Sequence, residues 1–137
     1  MARQVEGNQP VRYFVTGAAG FIGSHFVREL MAGAYGEQPT GVTVYDKLTY
    51  AGNPDSLPPA DRTLHQLIVG DIGDAKLVRQ LLDTHQPTSI INFAAESHVD
   101  RSIDGPLTFV ETNVQGTCRM LEEVRHYYAK LNGSAKD

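Results

Sequence analysis

Residues Tyr13–Gly23 read Tyr-Phe-Val-Thr-Gly-Ala-Ala-Gly-Phe-Ile-Gly, and the fold is decided here. A β-branched and aromatic run, Tyr13 to Thr16, meets glycines at 17, 20 and 23, and an amphipathic pattern begins directly behind them. Strand, glycine turn and helix in that order bring backbone N–H groups and a helix N-terminus up to a phosphate. A side chain at Gly17 or Gly20 would hold a pyrophosphate away from the backbone. One at Gly23 would crowd the first helical turn against the strand. The spacing is G-x-x-G-x-x-G, looser than the G-x-G-x-x-G of the common dinucleotide fingerprint.

Outward from this turn, Val11–Thr16 is expected to be a buried strand. Ile22, Phe26, Val27, Leu30 and Met31 recur at helical spacing and predict a helix from Phe21 to about Ala34. Val42–Tyr45 is a second strand closed by Asp46. The segment Lys47–Arg62, rich in Pro, Gly, Asn and Asp, is expected to be mostly loop with a short helical turn. Leu64–Val69 is a third strand ended by Gly70-Asp71-Ile72. Asp74 then caps a helix carrying Leu77, Val78, Leu81 and Leu82.

Ser89–Phe93 is a fourth strand, followed by a polar loop, Ala94–Gly105. Pro106 suits the first turn of a long helix. Val110, Val114, Thr117, Leu121, Val124, Tyr128 and Leu131 form its main stripe, expected to pack on the sheet; Phe109, Met120 and Tyr127 lie beside it as a second strip with room for a partner helix. Gly116 costs the helix about 1 kcal/mol relative to alanine and permits close approach. Strands separated by crossovers make a parallel, doubly wound α/β sheet, expected in the order 3-2-1-4. The fourth strand would then present an unpaired outer edge.

A length of 137 residues fits one domain, expected over residues 11–137 behind a loose leader, 1–10, and is short for a complete dinucleotide enzyme. The net charge of −4 and the lack of a Lys/Arg cluster argue against nucleic acid or an anionic membrane as partner. No apolar run is long enough to span a bilayer. The single cysteine, Cys118, cannot make an intrachain disulfide and reads as a small, partly buried helix residue. Cytoplasm is the expected compartment.

Asp46 lies 23 residues after Gly23 at a strand end, where an acid accepts hydrogen bonds from the adenosine ribose hydroxyls. Its charge would repel a 2′-phosphate, which favours NAD over NADP; Lys47 beside it weakens that preference. Asp71 and Ile72 end the third strand on the same edge, a place for an adenine contact. Ala94 and Ala95 offer small residues after the fourth strand, and Glu96, Ser97, His98, Asp100 and Arg101 follow as a dense polar set. The other histidines, at 25, 65, 85 and 126, lack ligand spacing, so no metal is expected. Ser97, His98 and Asp100 are neighbours on one loop and do not read as a catalytic triad.

The segments VTGAAGFIGSHFVREL, VYDKLTYAGNPDSL, GDI, NFAAESHVDRSIDGP and FVETNVQGT together resemble the amino-terminal part of the dTDP-glucose 4,6-dehydratase family, a branch of the extended short-chain dehydrogenase/reductases. DKLTYAGN and AAESHVDRSI are the most specific of these. The resemblance implies a Rossmann-type fold, NAD as cofactor, and homodimers pairing long helices. It implies Phe21 and Ile22 along the pyrophosphate with Gly17, Gly20 and Gly23; Asp46, Lys47, Leu48 and Thr49 around the ribose; and Asp71 and Ile72 at the adenine. Phe93, Ala94, Ala95, Glu96 and Ser97 would line the nicotinamide side with Thr112, while Ser97 and His98 would approach a sugar nucleotide.

The family reaction oxidises the hexose C4 hydroxyl, eliminates water across C5 and C6, and returns the hydride to C6. Ala18 stands where the family often has glycine. The family's catalytic Tyr-x-x-x-Lys is not found: Tyr127 and Lys130 are three apart. No catalytic residue is therefore assigned, and these residues alone are expected to be inactive. Two alternatives stay open, a non-catalytic NAD-binding module and a sugar-nucleotide epimerase or decarboxylase.

Overall fold

A computed structural model describes residues 9–49 and 52–136. Residues 1–8 of the expected leader, Tyr50 and Ala51 within DKLTYAGN, and Asp137 lie outside the described residues. Strand β1 (Arg12–Thr16) leads through the glycine turn into helix α1 (Phe21–Met31), and β2 (Gly41–Asp46) follows. A short 3₁₀ turn at Pro54–Ser56 precedes β3 (Ile68–Val69), helix α2 (Ala75–His85) and β4 (Ser89–Asn92). Helices α3 (Val99–Asp104), α4 (Pro106–Val110) and α5 (Thr117–Lys130) follow, with one wide π-helical turn, Glu111–Gly116, between the last two and a 3₁₀ turn at Gly133–Lys136 after them.

All pairings are parallel and the strand order is β3-β2-β1-β4, the doubly wound arrangement expected. Alternation along the strands divides the core into two layers. Phe14, Tyr45, Ile72, Val78 and Leu82 pack with Met120 and Tyr127 beneath α2 and α5. Val15, Val27, Leu30, Val42, Val44 and Leu64 pack on the α1 side. Burial on both faces explains why β1 and β2 read as nearly unbroken apolar runs.

The third strand is shorter than the expected Leu64–Val69. Leu64 makes only an isolated bridge to Val42, and regular pairing is confined to Ile68 and Val69. The Asp61 carboxylate accepts from the Thr63 and Leu64 N–H groups at 2.8 and 2.7 Å, so local side-chain bonds compete with the ladder at this edge. The first helix ends at Met31 rather than near Ala34, where Gly33 and Gly36 take positive φ. Residues 99–104, expected as loop, form the short helix α3; it carries no apolar periodicity to announce it, and Ile103 stays exposed. The Asp74 cap forms as expected, its carboxylate accepting from the Leu77 N–H at 3.2 Å.

The long last helix departs furthest from expectation. Val110, Val114, Leu121 and Tyr128 of its main stripe are exposed, while Gly116, Met120, Glu123 and Tyr127 face the core. The buried set repeats with the same four-three rhythm, so periodicity could not choose between the two faces. Glu123 disguised the true one. Its buried carboxylate takes a bidentate pair of 2.8 Å bonds from Arg79 on α2, which clamps the two helices together. Gly116 serves the expected close approach: a Cβ there would lie 3.1 Å from Ile72 Cγ1. Cys118 is exposed rather than partly buried, because it lies off the buried face. The outer edge of β4 has no partner strand among the described residues.

At the other end of the sheet, the His65 and His85 rings lie 4.9 Å apart, with His65 Nδ1 3.1 Å from Thr43 Oγ1. Burial and then the neighbouring His65 ring hold His85 below its ordinary value. In the unfolded chain histidine titrates near about 6.5, so acidification favours unfolding from that pH down to the lower folded value. Thermal midpoints measured from about pH 7.5 to pH 5 should fall through this window, and His85→Gln should flatten the fall; an equal slope in the variant would refute the assignment.

Candidate functional site

The chain leaves β1 at Gly17, whose φ of +64° is the left-handed conformation that suits glycine. A Cβ here would lie 2.5 Å from both the Phe93 carbonyl carbon and the Ala94 nitrogen, so the turn presses directly on the end of β4. A Cβ on Gly23 would strike the Gly17 carbonyl oxygen. Gly20 differs, since its nearest neighbour would be that same oxygen at 3.3 Å. Two of the glycines thus serve packing within the protein, and Gly20 keeps the outer side of the turn open. The N-terminus of α1 has no side-chain cap, and Phe21 and Ile22 stand in solvent beside it, 92% and 67% exposed.

Asp46, at the end of β2, holds this turn. Its Oδ2 accepts from the Ala19 N–H at 2.9 Å and its Oδ1 from the Leu48 N–H at 2.8 Å. Leu48 takes a positive φ of 54°, which folds the chain back across the strand end. Asn53 N–H donates to the Ala19 carbonyl at 2.8 Å, so the loop after β2 also closes on the glycine turn. Thr49 accepts from the Gly52 N–H at 2.9 Å within that loop.

Across from it, Lys47 Nζ lies 3.0 Å from Asp71 Oδ2. Burial pulls the Asp71 carboxyl upward, but the Gly73 N–H and the Lys47 ammonium outweigh it, with Arg119 adding to them. The group is held below the usual carboxylate range and stays ionised. Tyr45 lies beneath, its hydroxyl donating to the Asp71 carbonyl at 2.6 Å. Burial, reinforced by the Asp74 and Asp71 charges, pushes that hydroxyl far up, so it remains a donor.

On the β4 side, Asn92 Oδ1 accepts from Thr16 Oγ1 and from the Ala94 N–H, the latter at 3.1 Å. Phe93 turns its ring toward Phe26 of α1, with centroids 5.4 Å apart, so it presents backbone rather than ring to the glycine turn. Asn113 spans the gap to the wide turn, accepting from the Glu96 N–H at 2.8 Å and donating to the Glu96 carbonyl at 2.9 Å.

Gly17, Asp46, Lys47, Asp71, Ile72, Ala94 and Thr112, expected from sequence, meet around one small cavity of about 30 Å³ at the carboxyl ends of the strands. Gly20, Phe21, Ile22 and Gly23 do not line it; they carry the turn from Gly17 into α1, the Gly20 N–H donating to the Gly17 carbonyl at 3.1 Å. Leu48, Thr49, Phe93, Ala95, Ser97 and His98 do not line the cavity, Ala95, Ser97 and His98 being exposed on the loop beyond, and Glu96 is held by Asn113. Sequence reasoning missed Tyr45, Asn92 and Asn113. Only Asn113 carried a usable signal, as a poor helix former within a helical pattern. A larger cavity of about 430 Å³ lies far from this edge, between α2 and α5 around Arg79 and Lys130, where the charges already pair with Glu123 and Asp83.

A parallel sheet whose glycine turn and uncapped helix meet at the point where strand order reverses defines a dinucleotide-binding α/β protein. The family model described as GDP-mannose 4,6 dehydratase matches residues 14–136, and the chain belongs to that family. It is 48% identical over 126 residues to a dTDP-glucose 4,6-dehydratase of Xanthomonas campestris pv. campestris, covering 91% of this chain and 34% of the relative. It is 44% identical over 128 residues to the dTDP-glucose 4,6-dehydratase of Mycobacterium tuberculosis, covering 93% and 37%. The chain spans about a third of the length of the curated relatives it matches.

Among solved structures, the dTDP-glucose 4,6-dehydratase DesIV of Streptomyces venezuelae, with NAD bound, superposes with a TM-score of 0.80 at 52% identity, over 85% of this chain and 36% of that one. A UDP-glucose 4-epimerase of Thermotoga maritima superposes at 0.72 with 31% identity, over 85% and 35%.

The glycines separate by variant. Gly17→Ala should lower unfolding free energy by at least about 1–2 kcal/mol from backbone conformation alone, and Gly23→Ala should also be destabilising. Gly20→Ala should unfold at nearly the wild-type denaturant concentration. Equal losses at all three positions would contradict this division.

Proposed function

We propose that this chain is the NAD-binding part of a dTDP-glucose 4,6-dehydratase. The observation that carries the reading is the open cradle at Gly20, where an uncapped helix N-terminus faces the Asp46 carboxylate at the end of the next strand. The residues present fit the dinucleotide. The first N–H groups of α1 suit a pyrophosphate, with Phe21 and Ile22 covering it. Asp46 would accept from ribose hydroxyls and repel a 2′-phosphate, with Lys47, Leu48 and Thr49 around it. Asp71 and Ile72 would meet the adenine. Phe93 to Ser97 and Thr112 would hold the nicotinamide side, and Ser97 and His98 would approach the sugar nucleotide.

When bound, NAD supplies a hydride acceptor. The side chains here bind and orient it, and the Asn92 and Asn113 bonds hold the backbone of the β4 loop against the glycine turn. The 137 residues contain no Tyr-x-x-x-Lys, so by themselves they bind without completing the proton transfer that oxidation at C4 requires. The named relatives support the substrate reading. The exposed strip Leu107, Val110, Val114, Leu121 and Tyr128 suits a homodimer built on paired helices, and a cytoplasmic setting suits the lone thiol.

The full-length protein should convert dTDP-glucose to the 4-keto-6-deoxy sugar, followed by product mass and NMR. A C4 epimer as product would transfer the reading to the epimerases, and binding of NAD with no turnover would leave a binding module. Asp46→Asn should narrow the preference for NAD over NADP in calorimetric titrations. Leu121→Glu combined with Tyr128→Glu should shift sedimentation toward the monomer while leaving NAD affinity unchanged.

A further inference from the structure

Tyr45 is the largest fully buried side chain and lies immediately before Asp46. Its ring packs on Phe14 with centroids 5.7 Å apart, yet its hydroxyl emerges at the cavity edge under the Gly70–Ile72 turn. There the Asp71 carbonyl accepts twice, from the Tyr45 hydroxyl at 2.6 Å and from the Asp74 N–H at 3.0 Å. Gly70 is shaped to the tyrosine: a Cβ at that position would collide with the hydroxyl, and would stand 2.7 Å from Tyr45 Cε2 and 2.8 Å from Leu77 Cδ2. The turn is therefore seated directly on the phenol, while the same turn carries the ionised Asp71 carboxylate and Ile72 into the cavity wall.

We propose that Tyr45 is a positioning residue for adenine recognition, its hydroxyl setting the height of the Asp71–Ile72 turn against the base. The proposal rests on the dinucleotide reading above and deepens it. A carboxylate only accepts hydrogen bonds, so a well-placed Asp71 favours a base that donates from an amino group and disfavours one with a carbonyl there. Nothing in β-strand pairing requires a hydroxyl at position 45; a phenyl ring would fill the same core place beside Phe14. The hydroxyl acts on the turn alone.

The test is calorimetric titration of the full-length protein with NAD and with nicotinamide hypoxanthine dinucleotide, which carries a carbonyl in place of the adenine amino group. The wild type should prefer NAD. Tyr45→Phe, which keeps the ring in the core, should weaken NAD by about tenfold, in line with one lost hydrogen bond, and the hypoxanthine dinucleotide far less, so that the preference collapses. Asp71→Asn leaves the Tyr45 bond in place and should collapse the same preference. An unchanged preference in either variant overturns the proposal, as does equal weakening of both ligands, which marks general loosening. A wild type that binds neither dinucleotide overturns the dinucleotide reading itself, and this inference with it.

Discussion

Helix α1 approaches the end of β1 so closely that the carbonyl of Gly17 occupies the place where Gly23 would carry a side chain. That backbone contact sets the direction of α1, and with it the point in space where the helix N-terminus opens. The same turn presses on the Phe93 carbonyl and the Ala94 nitrogen, so the ends of β1 and β4 are fixed against each other. Because strand order reverses between these two strands, the cradle forms at the one place on the sheet where neighbouring connections part and leave a crevice.

The surrounding bonds build outward from that contact. Asp46 ties the end of β2 to the turn through Ala19, and Asn92 ties the end of β4 to β1 through Thr16. Tyr45 carries the bracing one strand further, to the turn after β3, and Asn113 carries it to the wide helical turn. Asp46 and Asn92 each also fasten the loop that follows their own strand, through the Leu48 and Ala94 N–H groups. Backbone amides in connecting loops need such partners, and here the partners also hold the cavity wall in place.

The Arg79–Glu123 clamp shows how a charge can belong to the core. Glu123 lies on the buried face of α5 because Arg79 satisfies both its oxygens while the arginine itself stays half in water. The Arg79 bond, acting first, outweighs burial and holds the Glu123 carboxyl below its usual range. The buried stripe of the last helix thus contains an acid, while the apolar Val110, Val114, Leu121 and Tyr128 are left outside.

Sequence by itself determined the strand, glycine turn and helix, the parallel order, the acid at the end of β2 and most of the residues around the cavity, because each is set by local backbone demands or by apolar periodicity. Tertiary structure alone decided which face of the last helix is buried, since two stripes share one period and only the docking of α2 with Arg79 chooses between them. It also decided the parts played by Tyr45, Asn92 and Asn113. Each has a hydrogen-bond partner between 17 and 76 residues away in the chain, and no local pattern announces such a partner. The glycines at 17, 20 and 23 look equivalent in the sequence; packing against Phe93 and α1 made two of them structural and left Gly20 facing the open crevice.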